Sequence, residues 1–280
     1  MAVQQMGEEQ ASRTAADDCH LCARHVDSLW VAPASSTPTE AACSRARWAR
    51  LGSSGVPSVR PADSVGARRT TWRRTMIQLY GNPRSRAMRC LWMLEETGQP
   101  YQLIEKSTRA DDLQTAEYIG LNPNARIPTL VDGDVTLWES MAINIYLAQK
   151  YDGPLHLAGP KDLGLAAQWS FWAVLEMEEL LLGLLEHRAV LPEFARDPSR
   201  SERNELLLRK PLGVLNAGLT GRESLAGDSF TVADLNVASL LAWGRMARLD
   251  LSACPEVARW LDTCLARPAY RRVRDQAKRK

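Results

Sequence analysis

The stretch from Leu79 to Gly98, LYGNPRSRAMRCLWMLEETG, limits the possible folds more than any other part of the sequence. A short apolar run that starts at Met76 is typical of a β-strand, and it ends at a Gly-Asn-Pro turn. Apolar residues then recur at steps of three and four, which predicts an α-helix that ends at Gly98. A second β-type run, Tyr101 to Glu105, follows. We therefore expect two parallel strands joined by a right-handed helical crossover.

The next segment adds a hairpin and a further helix. We expect a short helix near Leu113 to Ile119, and then two antiparallel strands, Thr129 to Val131 and Val135 to Trp138, around an Asp-Gly-Asp turn. An amphipathic helix follows, for which Ser140 is a suitable N-cap residue. The order of elements is β-α-β-α-β-β-α, which predicts a thioredoxin-like α/β domain over residues 76–156.

Residues 160–280 are predicted to form an all-α domain. The segment from Asp162 to His187 is long and amphipathic, and further helical patterns follow it. Thr231 and Asp234 have the spacing of a capping box, in which the two side chains bind each other's backbone N–H groups. We therefore expect Asp234 to have a structural role rather than a catalytic one.

The first 75 residues differ from the rest of the chain. Residues 1–75 contain ten arginines but no Lys, Ile, Phe, Tyr or Asn, and their apolar residues follow no lasting period. Such a segment cannot bury enough apolar surface to offset its ordering entropy, which predicts a disordered N-terminal arm. An independently interpretable domain begins at Met76, so our hypothesis is that the arm is an over-extended gene prediction and that translation starts at Met76.

Charge and cysteine content exclude several classes of partner. The net charge of +2 gives no broad basic field, so nucleic acid is not expected, and no apolar run is long enough to span a bilayer. The six cysteines form no secreted disulfide framework, and we find no secretory signal, so a cytoplasmic location is expected. Cys19 and Cys22 provide half of a zinc site, but the second ligand pair is missing, so no metal is expected.

Four motifs, in order along the chain, resemble those of the soluble glutathione S-transferases. They are LYGNPRSRAMRCLWMLEE from residue 79, NPNARIPTL from residue 122, LWESMAINIYLAQKY from residue 137 and FTVADLNVASLLAW from residue 230. The first motif is most similar to a bacterial and fungal branch whose first helix reads S-R-x-x-R-x-L-W-x-L-E-E. The resemblance runs from Met76 to the C-terminus, and it implies the family's thioredoxin-like domain followed by an all-α domain.

The resemblance implies a set of glutathione-binding residues. Members of the family hold the bond corresponding to Ile127-Pro128 in cis, and the backbone of Ile127 would pair with the extended tripeptide as an added strand. Ser140 and the adjacent helix N–H groups would bind the γ-glutamyl α-carboxylate, and Glu139 would face the α-ammonium. Arg126 is a further candidate for a glutathione carboxylate, with a solvated arginine as the alternative.

The loop before the first helix has the outline of a Cys-Pro-x-Cys redox loop, but Asn82 and Ser85 stand at the cysteine positions. Disulfide exchange by this loop is therefore not expected. The resemblance implies that the loop stabilises the thiolate of glutathione instead, since a helix N-terminus or a donor lowers a thiol pKa from about 8.5. Ser85 is the first candidate for the donor, Asn82 is a rival and Arg86 is a third candidate through its charge. N-capping alone is the alternative role of Ser85.

The function implied by the resemblance is that of a cytoplasmic glutathione transferase in detoxification. Glutathione would be the co-substrate, and its thiolate would attack a hydrophobic electrophilic small molecule or a peroxide. Members of the family are mostly dimers, so a homodimer is implied. A non-catalytic glutathione-binding or regulatory protein on the same fold is the alternative. A glutathione-dependent lyase or peroxidase also stays open, whereas a reductase is disfavoured because the loop lacks cysteine.

Overall fold

The computed structural model describes residues 76–107, 110–157 and 159–278. The predicted arm over residues 1–75 and the Cys19–Cys22 pair lie outside the described residues. The strands are β1 (Ile77–Gly81), β2 (Tyr101–Glu105), β3 (Thr129–Asp132) and β4 (Val135–Trp138). They form one sheet in the order β2-β1-β3-β4, with β1 parallel to β2, and β3 antiparallel to both β1 and β4. The predicted parallel pairing of β1 and β2 and the predicted hairpin of β3 and β4 are confirmed.

The helices follow the predicted pattern, with three differences. They are α1 (Ala87–Thr97), α2 (Ala110–Leu113), α3 (Ala116–Leu121), α4 (Ser140–Lys150), α5 (Pro160–Ala173), α6 (Glu179–Leu185), α7 (Pro198–Gly218), α8 (Val232–Met246), α9 (Pro255–Leu265) and α10 (Pro268–Lys278).

The three differences are local. The single short helix predicted before β3 is two helices, because Thr115 begins α3 as an N-cap whose side chain accepts the backbone N–H of Tyr118. The long helix predicted after the linker is interrupted by two π-helical turns, Val174–Glu178 and Glu186–Val190. Ser140 was expected to be the N-cap of α4, and this was wrong: Glu139 is the N-cap, and Ser140 is the first helical residue.

Helix α1 lies at the centre of the packing. Its Trp92 is fully buried, and the ring centroid lies 4.8 Å from that of Tyr270 on α10 and 6.0 Å from that of Phe230. Arg267, just before α10, donates to both carboxylate oxygens of Glu96 at 2.6 and 2.8 Å. Helix α1 therefore joins the sheet to the helical half, and its N-terminus faces residues from both halves.

The predicted capping box at the start of α8 is confirmed. The carboxylate of Asp234 is fully buried and accepts the Thr231 N–H at 2.8 Å and the Thr231 hydroxyl at 2.9 Å. It also accepts the Leu225 N–H and the Trp260 indole N–H, both at 2.9 Å. One carboxylate therefore satisfies donors from three separate segments, which fits the structural role expected for it.

Gly81, at the end of β1, gives a first testable prediction. Its φ is +156°, and an added Cβ would lie 2.4 Å from the Cβ of Ala87, which is fixed at the start of α1. We expect Gly81→Ala to reduce the free energy of unfolding by ~1–3 kcal/mol, because neither backbone can yield without moving the loop between them. Urea denaturation measures this, and Gly120→Ala is the control, since an added Cβ there meets nothing within 4 Å. Equal midpoints for both variants would contradict the prediction.

Two kinds of feature are absent from the described residues. Over residues 76–107, 110–157 and 159–278, no helix combines the length and the apolar character that crossing a membrane requires. In the same ranges, no group of His, Cys, Asp and Glu side chains has an arrangement that could hold a metal ion.

Candidate active site

A cleft of about 520 Å³ opens beside the N-terminus of α1. Its walls come from the first turns of α1 and α4, from the loop that precedes β3, and from the π-helical turn before α6. The predicted site residues among its lining are Arg86, Arg126, Ile127, Pro128, Glu139 and Ser140. Residues that lie far apart in the sequence are thus brought to one concave surface.

Two side chains hold the loop before β3 through hydrogen bonds to its backbone. The Ile127-Pro128 bond is cis, as the resemblance implies. The Tyr118 hydroxyl donates to the backbone carbonyl of Arg126 at 2.7 Å, and the Asn122 side-chain amide donates to the same carbonyl at 2.8 Å. These bonds leave little freedom to the backbone that leads into Ile127.

The start of α4 contributes Glu139 and Ser140. Glu139 has a φ of +72°, a conformation that a non-glycine residue adopts only where its surroundings impose it. Ser140 is buried, and its hydroxyl accepts a hydrogen bond from Nη1 of Arg89 at 3.3 Å. The first helical turn therefore places a hydroxyl and free backbone N–H groups at the cleft, which is a favourable arrangement for an anion.

Ser85 and Asn82 are engaged within their own loop. The Ser85 hydroxyl donates to the Asn82 carbonyl at 2.8 Å and accepts the Ala87 N–H at 3.1 Å. The Asn82 side-chain amide donates to the Lys106 carbonyl at 2.9 Å. Neither residue belongs to the part of the described chain that lines the cleft. The Ser85 hydroxyl would have to exchange its present bond in order to donate to a ligand.

Two arginines of α1 and the preceding turn meet a carboxylate from the helical half. Arg86 donates through Nε to Glu178, and Nη1 of Arg89 lies 3.2 Å from Oε2 of the same carboxylate. The guanidinium carbons of Arg86 and Arg89 lie 5.7 and 4.7 Å from the centroid of the Trp243 ring. We call Arg86, Arg89 and Glu178, together with Trp243, the arginine cluster.

Burial and neighbouring charges shift the pKa values of Glu178 and Arg89 in opposite directions. Burial alone would raise the pKa of the Glu178 carboxyl, but the charges of Arg89 and Arg86 and their hydrogen bonds hold that pKa below its ordinary value. Burial lowers the pKa of Arg89, and Glu178 opposes this effect. With Glu178 ionised and both arginines charged, the cluster has one net positive charge beside the cleft.

Sequence reasoning missed Arg89 and Glu178. Arg89 is the second arginine of the S-R-x-x-R motif quoted above, and its three-residue spacing from Arg86 places both on one helix face. Both signals could have pointed to Arg89. Glu178 is one of several acidic residues in an amphipathic segment, and no sequence pattern distinguishes it from its neighbours.

Comparison with known proteins decides the family. The model for "Glutathione S-transferase, N-terminal domain" matches residues 76–149, and that for "Glutathione S-transferase, C-terminal domain" matches residues 176–268. This chain belongs to the glutathione S-transferase family. The resemblance found in the sequence and the expected fold, a thioredoxin-like domain followed by a helical domain, are both confirmed.

Relatives of this glutathione S-transferase family member come from several kingdoms. Glutathione S-transferase 3 of Zea mays is 34% identical over 207 residues, which cover 70% of this chain and 92% of the relative. A theta class glutathione S-transferase from Xanthomonas axonopodis pv. citri, solved with glutathione bound, is 31% identical with a TM-score of 0.64, covering 70% of this chain and 95% of that one. The glutathione transferase URE2P6 of Phanerochaete chrysosporium, in complex with oxidised glutathione, is 29% identical with a TM-score of 0.63, and the match covers 73% and 98%.

Proposed function

We propose that this family member is a glutathione transferase that binds glutathione in the cleft and holds its thiol as a thiolate. The observation that supports this most is the convergence of predicted glutathione-binding residues on one cleft at the N-terminus of α1. The thiolate would attack an electrophilic carbon of a second substrate bound beside it, forming a C–S bond as the leaving group departs. With a peroxide as the second substrate, it would attack one oxygen as the O–O bond breaks, which gives an alcohol and the sulfenic acid of glutathione. A second glutathione thiol would then convert the sulfenic acid to the disulfide and water.

Each end of the tripeptide has a matching part of the cleft. The backbone of Ile127 would pair with the cysteinyl unit, and Arg126 would bind the glycyl carboxylate. Ser140 and the N–H groups of α4 would receive the γ-glutamyl α-carboxylate, and Glu139 would face the α-ammonium. In this pose the sulfur points towards the turn that precedes α1.

The hydrogen bonds of the loop favour Arg86 over Ser85 as the main group that stabilises the thiolate. Its side chain is 45% exposed and lines the cleft, whereas the proton of Ser85 is donated to a backbone carbonyl. We therefore propose that Arg86 supplies the main positive charge and that Ser85 caps the turn and adds a second, exchangeable donor. Asn82 would hold the loop through its bond to Lys106.

The second substrate, the assembly and the biological role are also proposals. Leu113, Met141 and Val174 are among the apolar residues of the cleft wall, and they would contact a hydrophobic electrophile. A cytoplasmic homodimer that acts in detoxification follows from the family resemblance and stays a prediction.

One observation favours the non-catalytic alternative. If the bond from Ser85 to the Asn82 carbonyl persists when glutathione binds, the thiol lacks a hydroxyl donor, and the protein could bind glutathione without activating it. Calorimetry combined with conjugation assays distinguishes the two functions. A catalyst binds glutathione and accelerates its reaction with chlorodinitrobenzene or with an organic hydroperoxide. A binding protein gives heat of binding but no turnover with any electrophile of the panel.

Ser140 gives a prediction for the binding half of the proposal. Ser140→Ala should raise the Kd for glutathione about 10-fold, because it removes a hydrogen bond to a charged carboxylate. Titration calorimetry measures this, and Ser252→Ala is the control, since that exposed serine bonds to Asp250 away from the cleft. An unchanged Kd in Ser140→Ala would remove Ser140 from the glutathione site.

A further inference from the structure

Arg89 is the most deeply buried charged side chain beside the cleft. Only 1% of it is exposed, yet it is among the residues that line the cleft. Its Nη1 donates both to the Ser140 hydroxyl at 3.3 Å and to the Glu178 carboxylate at 3.2 Å. The same nitrogen therefore joins the helical half of the molecule to the residue proposed to receive the γ-glutamyl carboxylate.

The rest of this guanidinium is unsatisfied. Within the part of the chain that the structure describes, buried Nε and Nη2 have no hydrogen-bond partner. An arginine has five N–H donors, and leaving several of them unpaired in a buried position is unfavourable. The Trp243 ring covers the face of the guanidinium, with its centroid 4.7 Å from the guanidinium carbon, but a ring face does not replace hydrogen-bond acceptors at the N–H edge. The unpaired donors therefore indicate a positive charge that can receive an additional anion.

The charge balance leads to the same conclusion. Within the arginine cluster, Glu178 neutralises one of the two arginines, which leaves one positive charge of the cluster beside Ser140. Because Arg86 is half exposed and Arg89 is buried beneath Ser140, the two arginines can act on different ends of the ligand. Arg86 would act at the sulfur end and Arg89 at the γ-glutamyl end.

We propose that Arg89 is a positioning residue that selects thiols bearing a γ-glutamyl α-carboxylate. It acts through Ser140, because its bond fixes the hydroxyl oxygen and turns the hydroxyl proton towards the cleft, where a carboxylate can accept it. Its buried charge attracts the same carboxylate. This inference rests on the proposed binding of glutathione, and it assigns Arg89 and its carboxylate partner Glu178 a role in ligand selection that the family motifs quoted above do not imply.

Three thiols test the proposal in one experiment. They are glutathione, γ-glutamylcysteine, which keeps the α-carboxylate, and γ-aminobutyryl-cysteinylglycine, which lacks only that group. The wild-type protein should bind the first two more tightly than the third by on the order of 10- to 100-fold. In Arg89→Met the preference for glutathione over γ-aminobutyryl-cysteinylglycine should fall by at least about 3-fold, because the selecting charge is absent while Ser140 and the N–H groups of α4 remain. Arg188→Met, which breaks an ion pair with Glu205 outside the cleft, should keep the wild-type preference.

The possible outcomes separate the proposal from its rivals. If Arg89 had a purely structural role, Arg89→Met would weaken the binding of all three thiols by the same factor and preserve the preference for the α-carboxylate. This result would overturn the inference. Should Arg89→Met not fold, Arg89→Lys provides the test, because an ammonium retains the charge but cannot reproduce the planar fork. The preference should then fall by at least about 3-fold, and an undiminished preference would overturn the inference. Failure of the wild-type protein to bind glutathione would instead overturn the proposed function.

Discussion

Replacing Arg86 by glutamine should lower kcat/KM for glutathione conjugation by on the order of 100-fold, the effect typical of removing one preorganised charge-stabilising donor. Arg86 lines the cleft and is half exposed, and Glu178 on one side and Trp243 on the other hold it in place. Its loss removes positive charge from the place where the sulfur becomes negative. The pH profile of kcat/KM should therefore move upwards, towards the ionisation of a free thiol at about 8.5.

Comparison with variants of neighbouring residues identifies the group that stabilises the thiolate. Arg84→Gln is the matched control: Arg84 is exposed, donates to the Ala277 carbonyl and lies outside the cleft lining, so its replacement should change kcat/KM by less than about 2-fold. Ser85→Ala should have an intermediate effect, because its hydroxyl already donates to the Asn82 carbonyl. Full activity in Arg86→Gln together with loss in Ser85→Ala would assign thiolate stabilisation to the hydroxyl. Loss only in Asn82→Ala would assign it to the amide.

The second large effect is expected on the free energy of unfolding. Asp234→Ala should reduce the free energy of unfolding by about 3–5 kcal/mol, because it leaves buried N–H donors of Thr231, Leu225 and Trp260 without an acceptor. Asp234→Asn should be milder, since an amide retains one accepting oxygen. Both variants that fold should retain the wild-type Kd for glutathione, since Asp234 does not line the cleft.

Denaturation with urea, monitored by tryptophan fluorescence, measures the effect of Asp234 directly. Asp228→Ala is the control, because Asp228 is exposed in the loop before the same helix, and its loss should change stability by less than about 0.5 kcal/mol. A loss below about 1 kcal/mol in Asp234→Ala would show that the capping box does not fix the three segments it joins.

The fold could be predicted from the sequence because local signals agreed with one another. The β-α-β pattern around Leu79 to Gly98 and the Asp-Gly-Asp turn set the sheet topology, and the Thr231–Asp234 spacing identified the start of α8. The π-helical turns could not be predicted, because Val174–Glu178 has the same apolar spacing as the α-helices on either side of it.

The candidate site was predictable only where its residues form contiguous motifs. Ile127-Pro128 and Glu139-Ser140 are sequence neighbours within motifs, and all four residues line the cleft. Arg89 and Glu178 form a tertiary ion pair between α1 and the helical half, so their partnership depends on the packing of the two halves. The loop before α1 also contains a feature that the sequence alone does not predict. The sequence places Ser85 next to α1 but does not reveal that its proton is donated to the carbonyl of Asn82.

In the proposed function, the protein binds the thiol of glutathione and keeps it ionised beside the N-terminus of α1. Ultraviolet difference titration of the complex with glutathione, with S-methylglutathione as the blank, follows the thiolate of the bound tripeptide directly. We expect the pKa of the bound thiol to lie at least about 1.5 units below the free value near 8.5, and to rise in Arg86→Gln. A bound thiol that ionises at the same pH as free glutathione would contradict thiolate stabilisation by this protein.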